Sequence, residues 1–405
     1  MAIPLLKFNH RLSIGYAQRV LRHPPQKADI WIQAASAGES YLASELVKRL
    51  QPKYPAKILL TTNTSQGMEI LEKIKKGHSL KKSNISVGIA YFPFDVPLIM
   101  KNAVCQINPK VIILLETEIW PGLLSAVKAH TCKILIINGR LKQESLNRYR
   151  IWPSLWKRLA PERILAMSEK NANRYRKLFG KNLVGSMTNI KFDRFKFEEL
   201  RAIRKNPLTK ILPDKKPFIV MGSVRQEEEP LIEKIINEIQ VRQSDAVIGL
   251  FPRHMHRIKH WQKRMKQLSV PWRLKSKTET PVPPGTIILW DTFGELQSAY
   301  AFSNAVFVGG SLAHLGGQNF LEPLMYGIVP VIGPSWENFA WVGREIIKKN
   351  LLQIGSDWKD VSDMLIKNLT DPPAPRTKIF ESALQYIKAR QGGTEQACRL
   401  INHFL

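Results

Sequence analysis

Short, continuous apolar runs that alternate with helix-patterned segments most constrain the fold of this sequence. Val-Ile-Ile-Leu-Leu at 111–115 is one such run, and similar runs recur from Ile30 to Ser168 and again from Phe218 to Ile332. Strands without polar alternation are typical of parallel sheets that helices cover on both faces. Parallel strands are joined by right-handed crossovers. The sequence therefore predicts an α/β protein with parallel sheets.

The runs fall into two series on either side of a basic, proline-containing stretch. We expect a basic N-terminal arm at 1–28, a first domain at 29–195, a linker at 196–217 and a second domain at 218–405. Strands of the first domain are expected at Ile30–Ala35, Lys57–Thr62, Ser86–Phe92, Val111–Glu116, Lys133–Asn138 and Ile164–Ser168. Strands of the second are expected at Phe218–Met221, Ala246–Phe251, Ile287–Trp290, Ala305–Val308 and Val329–Ile332.

Two such halves predict a central cleft faced by the carboxyl ends of both sheets, where ligands of parallel sheets bind. The arm at 1–28 has two interpretations. It is either a surface arm, or a segment whose apolar and basic side chains sit on lipid head groups.

The composition narrows the classes of partner and the compartment. Lys and Arg number 61 against 33 Asp and Glu, a formal net charge of +28, and such a surface attracts nucleic acid, nucleotides or anionic membranes. The three cysteines have no disulfide or zinc spacing, which indicates a reducing, cytoplasmic compartment. Because no apolar run reaches the roughly 18 residues of a spanning helix, any membrane contact is expected to be peripheral.

A glycine-rich stretch from Val306 to Pro334 is a candidate nucleotide site. Glycine pairs at 309–310 and 316–317 follow an apolar run, and Asn319 and Glu322 then stand three apart. Glycines let a backbone approach a ligand closely, and a helix start favours phosphate. The alternative is that Asn319 and Glu322 only close a capping box.

Three side chains of the first half are candidates for catalysis. Glu39 follows the first strand, where it is either a general base or, with Ser36, the closing residue of a capping box. Glu116, near Glu118, ends the fourth strand and is either a cleft carboxylate or a solvated charge. Lys191 is either solvated or able to neutralise a departing phosphate.

The second half has further candidates for an anion site. Arg253 ends a strand and is a plausible phosphate fork. Arg225 precedes an acidic helix start at 227–229, and Asp291–Glu295 has the same strand-then-capped-helix pattern as the glycine-rich stretch. The basic residues from His256 to Lys266 form either a solvated face or a surface for anionic lipid or nucleic acid.

Taken together, these strings resemble those of the bacterial Kdo transferases, which move 3-deoxy-D-manno-octulosonic acid (Kdo) from its CMP-activated form to a lipid A precursor. The resemblance spans nearly all of the chain from about Arg11 onward. It rests on the order and spacing of Ser36–Glu39, Glu116–Pro121, Asn138–Leu141, Lys191–Asp193, Pro252–His254, Gly294–Leu296, Phe307–Leu312 and Asn319–Glu322.

The resemblance implies a GT-B fold of two Rossmann-like domains and an inverting glycosyl transfer that needs no metal and no cofactor. It implies that Glu39 is the base and that Glu116 and Lys191 support the transition state. The positions that it assigns to CMP binding are Pro252, Arg253, Phe293, Gly294, Glu295, Asn319, Phe320, Leu321 and Glu322.

The expected function is therefore Kdo transfer from CMP-Kdo to a lipid A precursor, lipid IVA, in lipopolysaccharide biosynthesis. Domain 29–195 is expected to bind the acceptor and domain 218–405 the CMP-sugar. The expected location is the cytoplasmic face of the inner membrane, with an anionic membrane surface as partner and no nucleic acid. One alternative is a related GT-B enzyme that uses another nucleotide sugar. Another is a non-catalytic basic protein that binds nucleic acid or membrane.

The chain departs from the family pattern at several places. Gln318 replaces the histidine of the usual Gly-Gly-His-Asn string, Arg225 stands where histidine is common, and Phe293 stands where methionine is usual. The sequence also begins without the hydrophobic anchor segment that family members usually carry. These departures leave the reaction class unchanged and bear on donor affinity, acceptor choice and the number of sugars added.

Overall fold

The computed structural model describes residues 13–79, 84–117, 119–195, 207–212, 217–268 and 270–405. The chain divides into two compact units. The first contains the described residues up to Phe195 together with Arg390–Leu405, and the second contains those from 207 to Ala389. Each unit is built on one parallel sheet of seven strands.

The first unit has the strand order β3-β2-β1-β4-β5-β6-β7, with every pairing parallel. Its strands are β1 (Ile30–Gln33), β2 (Ala56–Thr62), β3 (Ile85–Tyr91), β4 (Val111–Leu115), β5 (Lys133–Gly139), β6 (Arg163–Ala166) and β7 (Val184–Ser186). Its first helices are α1 (Tyr16–Arg19), α2 (Ala37–Arg49), α3 (Ser65–Ser79), α4 (Pro97–Ile107), α5 (Pro121–Lys128), α6 (Gln143–Tyr149), α7 (Pro153–Arg158) and α8 (Glu169–Phe179).

Both faces of this sheet are covered, as the unbroken apolar strands predict. Along β4, Ile112 and Leu114 pack into one apolar cluster, and Val111 and Ile113 pack into the other. Alternate residues of a strand point to opposite faces, so an apolar residue is required at every position. The buried polar residues of these strands, such as Gln33, Thr61 and Asn138, lie near the carboxyl ends of the strands.

The second unit repeats this plan with the order β10-β11-β9-β8-β12-β13-β14. Its strands are β8 (Phe218–Val224), β9 (Val247–Pro252), β10 (Trp272–Leu274), β11 (Ile287–Leu289), β12 (Ala305–Val308), β13 (Pro330–Ile332) and β14 (Gln353–Ile354). Its helices are α9 (Glu229–Arg242), α10 (Ile258–Gln267), α11 (Leu296–Phe302), α12 (Leu321–Leu324), α13 (Glu345–Lys348), α14 (Trp358–Thr370) and α15 (Arg376–Lys388).

The last helix, α16 (Gly393–His403), belongs to the first unit, whereas the sequence assigned 218–405 to the second domain. Ala397, Cys398 and Ile401 complete the apolar cluster over α2 and β5. Buried Asp193 accepts hydrogen bonds from Gly392 N at 2.7 Å and Thr394 N at 2.6 Å, which fixes the start of the helix. The order of segments along the chain could not predict this return, because it depends on which apolar surface was left uncovered.

All eleven expected strands are present, and the sequence missed three short edge strands, β7, β10 and β14. These have two or three residues each, too few for an alternation pattern to register.

Parts of the predicted arm and linker lie outside the described residues, namely 1–12, 196–206 and 213–216. In the described part of the arm, Arg19 is buried and donates to Asn63 O at 2.7 Å, so residues 13–28 include a packed segment. Of the linker, Leu208 and Ile211 are buried. Across the described ranges, the helices are too short or too polar for any of them to traverse a bilayer.

Candidate functional site

The first group of candidate residues lies at the centre of the first sheet. β1 and β4 are neighbours, yet the chain continues from β1 to β2 on one side and from β4 to β5 on the other. Ligands of open parallel sheets bind outside the carboxyl ends of the strands at such a switch point. Glu39 stands in the first turn of the helix after β1, and Glu116 follows β4 directly.

Glu39 is fixed by Ser36 at the start of α2. Its Oε2 accepts hydrogen bonds from Ser36 N at 2.7 Å and from Ser36 Oγ at 2.8 Å. Glu39 N donates to Ser36 Oγ at 3.4 Å, which completes the capping box that the sequence indicates. Both hydrogen bonds to the carboxylate use Oε2, so Oε1 has no hydrogen-bond partner among the described residues. The capping interpretation is confirmed, and it leaves one oxygen available for chemistry.

Glu116 and Lys191 form an ion pair next to Glu39. Lys191 Nζ lies 2.6 Å from Glu116 Oε1, and Glu116 is 8% exposed. Glu116 adopts the left-handed backbone conformation, with φ 53°, which is rare outside glycine and often marks a functional residue. Glu118, its neighbour in the motif, lies outside the described residues.

Asn138 connects the two partners of this ion pair, a role that the sequence did not reveal. Its Oδ1 accepts from Ile190 N at 3.1 Å, and its Nδ2 donates to Glu116 Oε1 at 3.5 Å. Asn138 is fully buried and has φ 56° at the end of β5. Asn138 therefore links the turn that carries Lys191 to the carboxylate of Glu116. The only sequence signal for this role of Asn138 was the Asn-Gly pair at the end of a strand. Such a pair is equally typical of an ordinary turn.

The surroundings of Glu39 raise the pKa of its carboxyl group to about 6. Burial is the largest cause, and the negative charge of Glu116 adds to it; the hydrogen bonds from Ser36 and the positive charge of Lys191 act in the opposite direction. A carboxylate with such a pKa is ionised at neutral pH and is a stronger base than a solvated one, so it suits proton abstraction.

We expect replacement of Glu116 by glutamine to lower the pKa of Glu39. The substitution removes a repulsive charge and the ion pair through which Glu116 neutralises the Lys191 ammonium, and both changes favour the ionised Glu39. Carbon-13 NMR titration of glutamate-labelled protein would measure the pKa of Glu39. Its signal would be assigned by its loss in the Glu39→Gln variant. Glu162→Gln, which removes an exposed carboxylate paired with Lys133, is the matched control and should change nothing. An unchanged or raised Glu39 pKa in Glu116→Gln would refute the electrostatic account.

In the second unit, cationic side chains gather where β8 and β9 end. Val224 pairs with Pro252 in the register of the two strands, so Arg225 and Arg253 follow equivalent positions. Arg253 N donates to Val224 O at 2.8 Å, and the Arg253 side chain is exposed. The pKa of His254 is lowered by burial and by the charges of Arg225 and Arg253. This cluster of positive charge is suited to an anion.

The glycine-rich loop after β12 is organised by a residue that the sequence did not single out, Glu228. Its carboxylate is fully buried and accepts hydrogen bonds from the amides of Gly310 at 2.6 Å, Ser311 at 3.2 Å and Leu312 at 3.3 Å. It also accepts from Arg225 N at 2.9 Å. A Cβ at Gly309 would lie 2.5 Å from the Glu228 carboxylate, so glycine is required there.

This arrangement changes the role expected of the loop. The sequence suggested that free amides of the loop and of a helix start hold a phosphate, but three of those amides already bind Glu228. The helix that follows, α12, has only four residues. The loop is therefore built around an internal carboxylate, and the side chains of Arg225 and Arg253 carry the local positive charge.

The predicted segment from Phe293 to Glu295 contains an exposed aromatic ring and a carboxylate that already accepts hydrogen bonds within the protein. Phe293 is 80% exposed. Gly294 has φ +86° and open space where a Cβ would lie, so the turn favours glycine for its backbone conformation. Glu295 accepts from Lys275 Nζ at 2.9 Å and Trp290 Nε1 at 3.0 Å. Burial acts to raise the pKa of Glu295, but these hydrogen bonds and one from Thr292 outweigh it, so the pKa is lowered.

The predicted segment from Asn319 to Glu322 is divided between surface and core. Asn319 Nδ2 donates to Glu322 Oε1 at 2.8 Å, and both side chains are partly exposed. Phe320 and Leu321 are fully buried, and Pro252 is buried as well. These three residues can present only backbone groups to a ligand, whereas Asn319 and Glu322 can present side chains.

Comparison with known proteins shows which enzymes the chain is similar to. A family model described as 3-deoxy-D-manno-octulosonic-acid transferase (kdotransferase) matches residues 8–194. A 3-deoxy-D-manno-octulosonic acid transferase of Haemophilus influenzae is 28% identical over 390 residues, 94% of this chain and 88% of that one. The transferase of Bordetella pertussis is 26% identical over 388 residues, again 94% and 88%. A bifunctional glycosyltransferase/methyltransferase of Fusobacterium nucleatum is 30% identical over 329 residues, 80% of this chain and 50% of that protein, so the chain matches half of that relative's length.

Solved structures establish the fold independently. Anabaena HepE in complex with UDP matches with a TM-score of 0.57 at 12% identity, covering 93% of this chain and 100% of that one. The UDP-GlcNAc 2-epimerase of Neisseria meningitidis matches with a TM-score of 0.57 at 13% identity, covering 93% and 98%. At such identities the likeness concerns the fold alone, and it confirms the predicted GT-B class with two Rossmann-like domains.

The family model covers the first half of the chain, and the two transferase relatives cover nearly all of it. Most of the assigned residues lie in the strand-end loops of the two sheets, where such folds bind ligands. The chain is a glycosyltransferase, and over 94% of its length its sequence is similar to bacterial 3-deoxy-D-manno-octulosonic acid transferases.

Proposed function

We propose that this enzyme transfers Kdo from CMP-Kdo to a lipid A precursor, lipid IVA, with inversion at the anomeric carbon. The first unit binds the acceptor and supplies the base, and the second unit binds the donor. The observation that carries the proposal is Glu39, a buried carboxyl group with a pKa of about 6 and one unengaged oxygen beside the Glu116–Lys191 pair. Inversion needs one base and one displacement, and Glu39 fits that role.

The proposed step is a single displacement. Glu39 Oε1 takes the proton of the acceptor hydroxyl, and the acceptor oxygen forms a bond to the anomeric carbon of Kdo from the face opposite the nucleotide. The bond from that carbon to the phosphate oxygen of CMP breaks, and its electron pair leaves with CMP. The Glu116–Lys191 pair supports the transition state by fixing local charge, because hydrogen-bonded charges in place before the reaction cost no reorganisation during it.

The donor is proposed to bind through its phosphate at the cationic cluster. Arg253 and Arg225 supply charge-assisted donors to the phosphate oxygens, and the exposed ring of Phe293 offers a face for the cytosine base. Asn319 and Glu322 contact the nucleoside with their side chains, while Pro252, Phe320 and Leu321 shape the site with their backbones. Gly294 and Glu295 hold the turn that carries Phe293.

We expect Arg253→Ala and Arg225→Ala each to weaken CMP binding by about ten- to a hundredfold, because each removes a charge-assisted contact of a few kcal/mol. Isothermal titration calorimetry with CMP at two salt concentrations would measure the affinity and its salt dependence. Arg273→Ala, which removes an exposed arginine from β10 of the same unit, is the control and should bind CMP as wild type does. Equal affinities for CMP in wild type and all three variants would show that neither Arg225 nor Arg253 binds CMP.

The competing enzyme is a related GT-B transferase that uses another nucleotide sugar. Gln318, Arg225 and Phe293 depart from the family pattern within the donor unit, so donor choice is the property most open to change. Purified protein would be incubated with lipid IVA and either CMP-Kdo generated in situ or UDP-sugars, and the lipid product analysed by mass spectrometry. Addition of a Kdo mass only with CMP-Kdo supports the proposal. Turnover with a UDP-sugar and none with CMP-Kdo would contradict the proposal and favour the competing enzyme.

The proposed location is the cytoplasmic face of the inner membrane, with peripheral attachment. The support is the formal net charge of +28, which draws the protein to an anionic leaflet, and the lipid nature of the proposed acceptor. The non-catalytic alternative predicts polyanion binding that persists without any transfer activity. Transfer that is lost in Glu39→Ala while CMP binding is kept would exclude that alternative.

A further inference from the structure

The corner between α6 and α7 exposes two large apolar side chains side by side. Ile151 is 70% exposed and Trp152 is 66% exposed. They are consecutive residues in the short connection between the two helices. Isolated exposed apolar residues are common on soluble proteins, but an aliphatic side chain and an indole exposed at consecutive positions indicate a contact surface.

The corner is a built feature of the first unit. Arg150 N donates to Leu146 O at 2.9 Å, and Trp152 N donates to Tyr149 O at 3.1 Å, so the turn is closed by its own backbone. The ring centroids of Tyr149 and Trp156 lie 4.8 Å apart, and Leu146 and Trp156 are buried in the main apolar cluster. The folded core thus holds the two apolar side chains in their exposed position.

The apolar pair is surrounded in sequence by cations. Between residues 142 and 158 all five basic side chains are exposed, and Glu144 is the only acid. Within the described part of the chain, none of the five forms an ion pair. The cations are Lys142, Arg148, Arg150, Lys157 and Arg158.

We propose that this corner, residues 142–158, docks the enzyme on an anionic lipid surface, with Ile151 and Trp152 inserted at the level of the head groups. Indole rings favour the interface between water and hydrocarbon, and nearby Lys and Arg are attracted to anionic head groups. Ile151 argues for lipid over nucleic acid, since an aliphatic side chain offers no stacking face for a base. The choice of lipid as partner rests on the proposed lipid acceptor, and the binding itself requires no catalysis.

Cosedimentation with vesicles tests the proposal without any substrate. Wild type is expected to bind vesicles of mixed phosphatidylglycerol and phosphatidylcholine, and to bind pure phosphatidylcholine much less. Ile151→Ser/Trp152→Ser is expected to weaken binding to the mixed vesicles by about tenfold or more, because the buried apolar area is lost. Arg148→Glu/Arg150→Glu is expected to weaken binding and to flatten its dependence on salt. Val241→Ser, which removes an apolar side chain 82% exposed on the second unit, should bind as wild type does.

A second measurement places the indole in the bilayer. Brominated lipids should quench the fluorescence of wild type more strongly than that of Trp152→Phe, with circular dichroism and thermal unfolding showing that the variants remain folded. Equal quenching, or unchanged binding of the Ile151→Ser/Trp152→Ser variant, would overturn the proposal. So would loss of single-stranded oligonucleotide binding by that variant while its vesicle binding is kept.

Transfer assays separate this inference from the proposed function. The Ile151→Ser/Trp152→Ser variant should transfer sugar normally to acceptor dispersed in detergent and poorly to acceptor embedded in vesicles. Equal loss in both assays would assign the corner to the acceptor site and overturn the docking proposal. If wild type transfers no Kdo but the corner still controls vesicle binding, the proposed function fails and the docking surface stands.

Discussion

Replacing Glu39 by glutamine is expected to lower the transfer rate by about a hundred- to ten-thousandfold, the usual contribution of a positioned base, while CMP affinity stays at the wild-type value. Glutamine has nearly the same shape and can still close a capping box with Ser36, so the substitution removes basicity and largely keeps the helix start. The rate should be measured on lipid IVA with CMP-Kdo, and CMP affinity by calorimetry.

The control for this variant isolates the cost of a helix cap. Ser168 caps α8 by accepting a hydrogen bond from Asn171 N at 3.3 Å, and Ser168→Ala should cost about 1 kcal/mol of stability with transfer unchanged. Glu39→Gln that retains more than a tenth of the wild-type rate would show that the carboxylate serves the helix and does not act as the base.

The pH dependence of the wild-type enzyme follows from the same carboxyl group. A base must be ionised, and the folded-state pKa of Glu39 is about 6. The value of kcat/KM should therefore rise about tenfold per pH unit at low pH and level off above that pKa. A solvated glutamate would place this limb lower, so the position of the limb also tests whether Glu39 stays buried in solution.

Replacing Glu228 by alanine is expected to destabilise the protein by about 3–5 kcal/mol. Four backbone amides lose their acceptor in a buried site, at about 1–3 kcal/mol for each unsatisfied donor, and the substitution also removes the desolvation cost of the buried carboxylate, which offsets part of that sum. The glycine-rich loop should lose its shape together with this stability, so CMP affinity should fall in the protein that remains folded. Chemical unfolding monitored by circular dichroism would give the stability, and calorimetry below the unfolding transition would give the affinity.

Two variants make this expectation specific. Glu228→Gln keeps one acceptor oxygen and turns an NH2 group towards the amides, so its loss should be smaller than that of alanine. Glu227→Ala, at the exposed neighbouring position, should change stability by no more than about 0.5 kcal/mol. If Glu228→Ala unfolds at the same denaturant concentration as Glu227→Ala, the carboxylate does not hold the loop.

The candidate site was partly accessible from sequence because strand ends are easy to locate. Glu39 and Glu116 could be placed at one edge of a sheet as soon as the apolar runs before them were recognised as parallel strands. Lys191 was less certain, since it follows the short strand β7, which the patterns missed, and only its pairing with Glu116 shows where it lies. The capping and catalytic interpretations of Glu39 looked exclusive in sequence, but the structure satisfies the cap with one oxygen and leaves the other free.

Glu228 and Asn138 show what sequence reasoning could not reach. Each binds backbone amides that lie far away along the chain, Gly310 in one case and Ile190 in the other. A backbone amide has no sequence signature, so a residue whose role is to bind one looks like any polar residue near a strand end. The C-terminal helix α16 is a similar case, since its place depends on an apolar surface formed by other segments.

By itself the sequence determined the two parallel sheets, the positions of eleven of their strands, and the strand ends at which polar side chains could gather. It did so because burial on both faces of a strand demands an unbroken apolar run, a local property of the chain. Only the tertiary structure decided which unit the last helix joins, which carboxylate fills the glycine loop, and that Glu39, Glu116 and Lys191 interact. Those outcomes depend on contacts between distant segments, and such contacts exist only after the sheets have formed.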